Sequence, residues 1–392
     1  MKHNRIWLRL LFVNLFRFVL ATTLLFSGWV KVLDPLGMVY KLRAYTDYFN
    51  LDLADESILL RLIVVFIAII ECQLGISLFL GIRRKTSSVL VFLFMLLMLG
   101  ISLFVYFENP VPDCGCFGDV VNLTHKQSLI KNLFLLGMAT FLVVYPRRMR
   151  RFITERNQWI ISIYSFCFIF GCVFWNFHYT PLISFTDYKL GVNVLKHYSG
   201  ETQEGEDLLE TIVGLYAIND DGDDVIEQLL SEKKTTFILT LPNVVTADDS
   251  SADLINDLYD YANDNNCNFA ALIANSLVFA QDWRDRTGAS YPIYQSDEVI
   301  LKSMVRSNPG LLLLVDGVLC GVWGVNELPE HLMENPIEEH DVLKIGRNYI
   351  VSLCCLLAYY IIPLLIVIFL DGLWIGSKYY LHSKRMKKIL KK

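Results

Sequence analysis

The sequence predicts an α-helical polytopic membrane protein carrying one folded α/β domain outside the bilayer. Three observations lead there. Of 392 residues, 54% are hydrophobic, and the mean hydropathy of +0.41 is too high for an ordinary soluble chain. Several stretches reach the roughly 20 apolar residues that a bilayer crossing takes. One continuous region, residues 177–344, has the composition of a soluble domain instead.

Six spans follow in order. The first, residues 8–30, carries Arg9 and Arg17 and lacks a small-residue cleavage site after it, so it reads as a retained helix rather than a signal peptide. A polar connection, residues 31–57, leads to the second span, 58–80. A basic turn (Gly81-Ile82-Arg83-Arg84-Lys85) precedes the third, 87–107. A short polar island, Pro112-Asp113-Cys114-Gly115-Cys116-Phe117-Gly118-Asp119, separates it from the fourth, 128–145. Arg147, Arg148, Arg150 and Arg151 crowd the end of the fourth span. The fifth is 159–177, and the sixth, 350–370, ends in a tail with Lys384-Arg385-Met386-Lys387-Lys388.

Lys and Arg gather at the N-terminus and after spans two, four and six, and short basic loops stay cytoplasmic. Both termini are then expected in the cytoplasm, with the cysteine island and the acidic domain on the opposite face. In a bacterial inner membrane that face is the periplasm, where disulfides persist. The expected divisions are 1–150 (a four-span bundle), 151–178 (the fifth span), 179–345 (a periplasmic domain) and 346–392 (the sixth span and tail).

The formal charge of −5 conceals an asymmetry. Residues 178–345 hold 29 Asp and Glu against 9 Lys and Arg, a net −20, while the remainder is +15. Nucleic acid is excluded as a partner of so acidic a domain, because phosphate binding needs clustered cations. The expected partners are membrane lipids and either exported protein clients or a thiol–disulfide partner.

The acidic region alternates strand and helix. Residues 211–218, 235–241, 269–274 and 291–294 are β-branched or apolar and read as strands. Residues 251–263, 276–286 and 297–306 have helical spacing, the first capped by Ser250 or Ser251. Apolar runs on either side of Asp316-Gly317 form a hairpin signal. A last helix is expected over 325–333. The pattern implies a mixed sheet with helices on both faces.

Nine cysteines do not form a disulfide framework, since Cys72, Cys167, Cys172, Cys354 and Cys355 lie in apolar runs and read as packing residues. Cys114 and Cys116 are the close pair. A bond between them would close a very small, strained and easily reduced ring, and Gly115 lowers the steric cost of its backbone. Redox exchange, a structural loop staple and a metal site all remain open, the last with only His125 near in sequence for a set of about four ligands. Asp113 and Asp119 flank the pair, and negative charge disfavours thiolate.

Glu71 lies mid-span, where a carboxylate is expensive unless paired or protonated. Lys31 is its candidate counter-ion if it turns inward; otherwise Glu71 is protonated and bonded to a neighbouring helix. Cys267 and Cys320 fall in the acidic domain, where exchange with the loop pair is an alternative to packing.

Two resemblances add to this reading. Phe26-Ser27-Gly28-Trp29-Val30-Lys31-Val32-Leu33-Asp34-Pro35, Glu71 with Leu74-Gly75, and Asp113-Cys114-Gly115-Cys116-Phe117-Gly118-Asp119 resemble the DoxX/MauE membrane family over about residues 10–150. That resemblance implies a four-helix membrane core with Lys31, Asp34, Asp113 and Asp119 as motif residues. In methylamine utilisation it implies assistance with disulfide formation or maturation of an exported dehydrogenase, beside a thioredoxin-like partner.

Residues 207–335 resemble a thioredoxin-like (TlpA-like) domain, on Pro309 before a strand, Gly317 in the hairpin and Gly324 after it. The resemblance implies a cis peptide at Pro309. The chain departs from the family after the strand 235–241, where Pro242-Asn243-Val244-Val245-Thr246-Ala247-Asp248-Asp249-Ser250 holds no cysteine. A binding or scaffolding domain is therefore expected.

The leading expectation is thiol–disulfide exchange or maturation of exported proteins through Cys114 and Cys116, with electrons leaving to a quinone or another carrier near the second span. A non-catalytic membrane scaffold or chaperone is the alternative, and a transporter using Glu71 is a third. Enzymatic status stays open.

Overall fold

The computed structural model describes residues 2–51, 53, 57–111, 115–118, 120–121, 123–183, 185–186, 188–194, 215–231, 234–334 and 349–389. The chain divides into two compact units, residues 1–175 with 353–392, and residues 176–352.

The first unit is helical. Its elements are α1 (Lys2–Leu33), α2 (Pro35–Tyr48), α3 (Ile58–Leu80), α4 (Arg84–Glu108), α5 (His125–Val144), most of α6 (Gln158–His178) and most of α11 (Tyr349–Ile389). Six helices are long and apolar enough to cross a membrane: Trp7–Leu33, Ile58–Leu80, Arg84–Glu108, His125–Val144, Gln158–His178 and Ile350–Lys378. The protein is thus a polytopic helical membrane protein, and its exposed apolar faces contact lipid.

Local chemistry sets the ends. Gly81 stops α3 at φ 71°, a left-handed position glycine occupies without penalty. Thr124 and Gln127 form a reciprocal capping box at the start of α5. The expected polar connection at 31–57 needs correction, because it contains the helix α2. Asp34 caps it, accepting from the Gly37 N–H at 2.8 Å, and Pro35 occupies its first position.

Leu20, Leu24, Leu78, Val91, Met138 and Leu142 pack the centre of the bundle. The tightest approach is between α1 and α3. A Cβ on Gly28 would lie 2.5 Å from Cys72 Sγ and 2.9 Å from its backbone N, and one on Gly75 would lie 2.8 Å from Leu25 Cγ.

Arg17, buried in the bundle, donates to the carbonyls of Leu78 (2.6 Å) and Arg150 (2.5 Å), and also to that of Phe79. It thereby satisfies two carbonyls at the C-terminal end of α3 and fastens them to the loop carbonyl of Arg150. Helices α6 and α11 are tied together at two levels. Tyr164 Oη donates to the Tyr359 carbonyl at 2.7 Å, and Ser165 Oγ meets Tyr360 Oη at 2.8 Å. Asp371, buried in α11, accepts from Thr154 N–H (2.8 Å), Thr154 Oγ1 (2.6 Å) and Asn157 Nδ2 (2.6 Å).

The second unit is a five-stranded sheet between helices. Its elements are α7 (Ile226–Ser231), β1 (Thr235–Leu241), α8 (Ala252–Asp264), β2 (Asn268–Ile273), α9 (Val278–Thr287), β3 (Ile293–Gln295), α10 (Glu298–Met304), β4 (Gly310–Val315) and β5 (Val318–Gly324). The strand order is β3-β2-β1-β4-β5, with β1, β2 and β3 parallel and β4 and β5 antiparallel to their neighbours.

Alternation along β1 divides the core. Phe237, Leu239 and Leu241 face Ile255, Leu258 and Trp283 of α8 and α9, whereas Ile238 joins Leu229, Leu301 and Met304 of α7 and α10 on the opposite side. Asp316 and Gly317 turn the β4–β5 hairpin with φ of 50° and 73°, the positive pair such a tight turn requires.

Three expectations are corrected here. Residues 211–214 of the expected strand 211–218 lie outside the described residues, and of the rest only Ile218 pairs, in isolated bridges to Asp224 and Gln295. The helix expected over 325–333 is instead two short 3₁₀ turns, Val325–Glu327 and Glu330–Leu332, divided at Pro329, whose ring lacks a donor. Ser251 occupies the cap position of α8 without a side-chain cap bond, its Oγ donating to the Val325 carbonyl at 3.3 Å.

Candidate functional site

One turn of α1 sets Ser27 and Lys31 on the same face, four residues apart. With Gly28 between them lacking a side chain, α3 comes close enough for Glu71 to reach both. Lys31 Nζ lies 2.9 Å from Glu71 Oε2, 2.9 Å from Ser27 Oγ and 2.8 Å from the carbonyl oxygen of Cys116. With the Ser27 carbonyl at 3.3 Å, four acceptors share its three protons. Ser27 Oγ lies 2.7 Å from Glu71 Oε2 and also 2.7 Å from the Cys116 carbonyl, and its single proton serves one of them at a time.

Lys31 and Glu71 have side-chain exposures of 2% and 4%. Lys31 therefore turns inward, and the cluster is a buried ion pair whose remaining capacity is met by a hydroxyl and a backbone carbonyl. Such satisfaction is what makes buried charge tolerable.

The loop that supplies this carbonyl is held at several points. Lys41 Nζ of α2 donates to the Gly118 carbonyl at 3.0 Å. Phe117 packs 5.5 Å from the Phe26 ring, with Lys131 Nζ 4.1 Å from its centroid. Gly115 and Gly118 have φ of 66° and 57°, and a Cβ on Gly118 would lie 2.7 Å from Val30 Cγ1. His125 Nε2 lies 3.0 Å from the Val111 carbonyl, at the loop's entry.

The sequence-derived candidates thus divide. Lys31, Glu71 and Cys116 are brought together, with the Cys116 side chain half-buried. Asp34 caps α2 through the Gly37 N–H. Cys114, Asp113 and Asp119 lie outside the described residues. Among the described residues no three His, Cys, Asp or Glu side chains gather to hold a metal ion. Sequence reasoning missed Ser27 and Lys41 as members of the site. The four-residue spacing of Ser27 and Lys31 was the available signal for the first, while nothing local marks the second.

Cys72, next to Glu71, is fully buried against α1, Cys172 is half-buried, and Cys167, Cys354 and Cys355 are exposed. In the sheet unit, Cys267 and Cys320 are only 4% and 5% exposed and belong to the core beneath α8 and α9. Burial pushes the Cys320 thiol up, which disfavours the thiolate that exchange requires.

Pro309 opens β4 through a cis peptide with Asn308. The segment after β1, where a dithiol is absent, is fixed by side chains. Asn308 Nδ2 donates to the Asn243 carbonyl at 2.8 Å, Asn275 Oδ1 accepts from Val244 N–H at 2.9 Å, and an Arg286 N–H donates to the Val244 carbonyl at 2.5 Å.

Residues 9–145 match the family described as Methylamine utilisation protein MauE. The matched stretch runs from within α1 to the end of α5 and contains Ser27, Lys31, Glu71 and the cysteine loop. No curated protein and no solved structure matches the chain. With six apolar helices and a match confined to roughly a third of its length, this is a membrane protein whose first five helices are MauE-like.

Proposed function

We propose that the chain is a membrane thiol–disulfide exchange component that acts on exported proteins through Cys114 and Cys116. The observation that carries this reading is the grip of Lys31 on the Cys116 carbonyl at 2.8 Å, inside a buried cluster with Glu71 and Ser27. A cysteine backbone fastened to an internal ion pair presents its thiol from a fixed position, as an exchanging sulfur needs. The MauE similarity of residues 9–145 supports it as well.

A client thiolate attacks one sulfur of the oxidised loop pair, forming a mixed disulfide and releasing the other sulfur as thiolate. The second client thiol then displaces the first loop sulfur, leaving a client disulfide and two loop thiols. Restoring the loop disulfide would need a two-electron acceptor, and a quinone would supply that chemistry by taking up both electrons and both protons of the two thiols.

We read the sheet unit as a thioredoxin-like domain that has lost its dithiol and docks clients. Its strand order and the parallel-to-antiparallel change at β1–β4 support that reading. The alternation of basic loops supports an inner-membrane orientation with both termini cytoplasmic and residues 179–345 periplasmic. The stapled segment after β1 favours the second reading, a non-catalytic scaffold for exported proteins.

The test is trapping of thiols in intact cells with a mass-shifting alkylator, comparing wild type with Cys116→Ser. Exchange predicts a loop pair populated in both states and a mixed disulfide between Cys114 and a client in the variant. A pair fixed in one state, with no trapped partner and unchanged client disulfides, overturns exchange in favour of the scaffold.

A further inference from the structure

A groove of about 890 Å³ runs between the beginning of α6 and the second half of α11. We propose that it binds an anionic phospholipid. Its walls are apolar and turned outward: Leu370, Trp374 and Ile375 are 57%, 62% and 48% exposed, and Ile160 lies opposite on α6. Both helices are membrane spans, so an acyl chain is the apolar occupant at hand for an open groove between them.

The polar end selects the headgroup. Arg156 and Lys378 line it, and among the described residues neither has a carboxylate partner. Glu155, beside Arg156, is engaged by Arg151. Asp371 also lines the groove, but it is 3% exposed and accepts three hydrogen bonds from Thr154 and Asn157. It therefore closes the helix junction, its charge solvated by these neutral donors and shielded from the groove. Two cations against this one inward-held carboxylate leave the polar end net positive, which matches a phosphate whose headgroup adds no ammonium of its own. Basic recesses between transmembrane helices recognise anionic lipid in this way. The volume lies near the top of the roughly 300–1,000 Å³ occupied by small-molecule clefts, enough for a headgroup and the first part of its chains.

The experiment uses the full chain in phosphatidylcholine nanodiscs titrated with brominated phosphatidylglycerol or brominated phosphatidylcholine. Quenching of Trp374 is read as the signal lost in Trp374→Phe. We expect brominated phosphatidylglycerol to quench at about a thirty-fold lower mole fraction, falling to about five-fold in Lys378→Gln and to parity in Arg156→Gln/Lys378→Gln. Arg156→Lys/Lys378→Arg should keep the preference, which separates charge from fold. Equal quenching by both lipids, or a preference that survives the double Gln variant, overturns the proposal. Relief of quenching by millimolar inorganic phosphate alone would assign the site to free phosphate and overturn it too.

Discussion

Replacing Lys31 by methionine keeps much of the side-chain length and deletes the charge, which isolates the energetic role of the buried pair. Glu71 would lose the ammonium at 2.9 Å while remaining nearly sealed, with a side-chain exposure of 4%. Removing one partner of a buried ion pair costs about 3–5 kcal/mol, because the other charge is left uncompensated. The Cys116 carbonyl also loses its 2.8 Å donor, and the single Ser27 proton, 2.7 Å from both that carbonyl and Glu71 Oε2, serves only one of them. The expected total is thus about 3–5 kcal/mol.

Removing both charges, as Lys31→Met/Glu71→Leu, should recover all but about 1 kcal/mol, since paired apolar replacements are often neutral. Lys302→Met is the comparison with a solvent-reaching pair: its side chain is 14% and that of its partner Glu298 49% exposed, and such a helical pair contributes about 0.3–0.5 kcal/mol. Reversible SDS unfolding of the detergent-solubilised chain, followed by circular dichroism, measures all three. A Lys31→Met loss below about 1 kcal/mol, or a double variant as unstable as the single one, would refute a compensated buried charge at this site.

Gly28→Ala should destabilise the bundle by about 1–3 kcal/mol through overpacking, because its Cβ meets Cys72 at 2.5 Å. Gly137→Ala, with nothing within 4 Å, should instead gain about 0.5–1 kcal/mol, and equal melting temperatures for the two would sink the close-approach argument. In the sheet unit, burial pushes Tyr291 from 10.0 up to about 12. The folded state holds that proton more tightly than the unfolded one, so its contribution to stability is level below pH 10 and is lost as pH rises from about 10 to about 12. Tyr291→Phe should make the fall over that range shallower and cost about 1–3 kcal/mol at neutral pH, since Trp283 Nε1 loses its 2.9 Å acceptor. Denaturant unfolding across pH tests both, and a fall equally steep in the variant counts against Tyr291 as a source of it.

What could be read from the sequence follows how local each cause is. The spans are legible because their apolar runs alone decide them, and the β4–β5 hairpin because Asp316-Gly317 carries its own turn chemistry. Helix α2 was hidden by a polar composition, although the Asp34-Pro35 start was in view. Residues 325–333 mislead through helical spacing that Pro329 interrupts. Glu71 could be singled out by the cost of a mid-span carboxylate, and Lys31 named as its counter-ion, but the inward turn depends on a glycine contact across two helices. The Cys116 carbonyl as third member lies 85 residues from Lys31, beyond any periodicity. Likewise, Asn308 bonds the segment after β1 from 65 residues away, and only the folded sheet brings the two loops together.

The pairing of α6 with α11 has a consequence in polymer terms. Residues 179–348 leave the end of one of these helices and return to the start of the other, and the two are joined by Tyr164, Ser165, Tyr360 and Asp371. When the sheet melts, its ends stay pinned to the membrane, so the unfolded chain is a closed loop rather than a free coil. A cross-link spanning a loop of this size removes enough entropy to raise the free energy of the unfolded state by roughly 5 kcal/mol at room temperature in the chain-entropy picture. The two helices thus act as a non-covalent clasp that restricts the denatured ensemble of the chain between them.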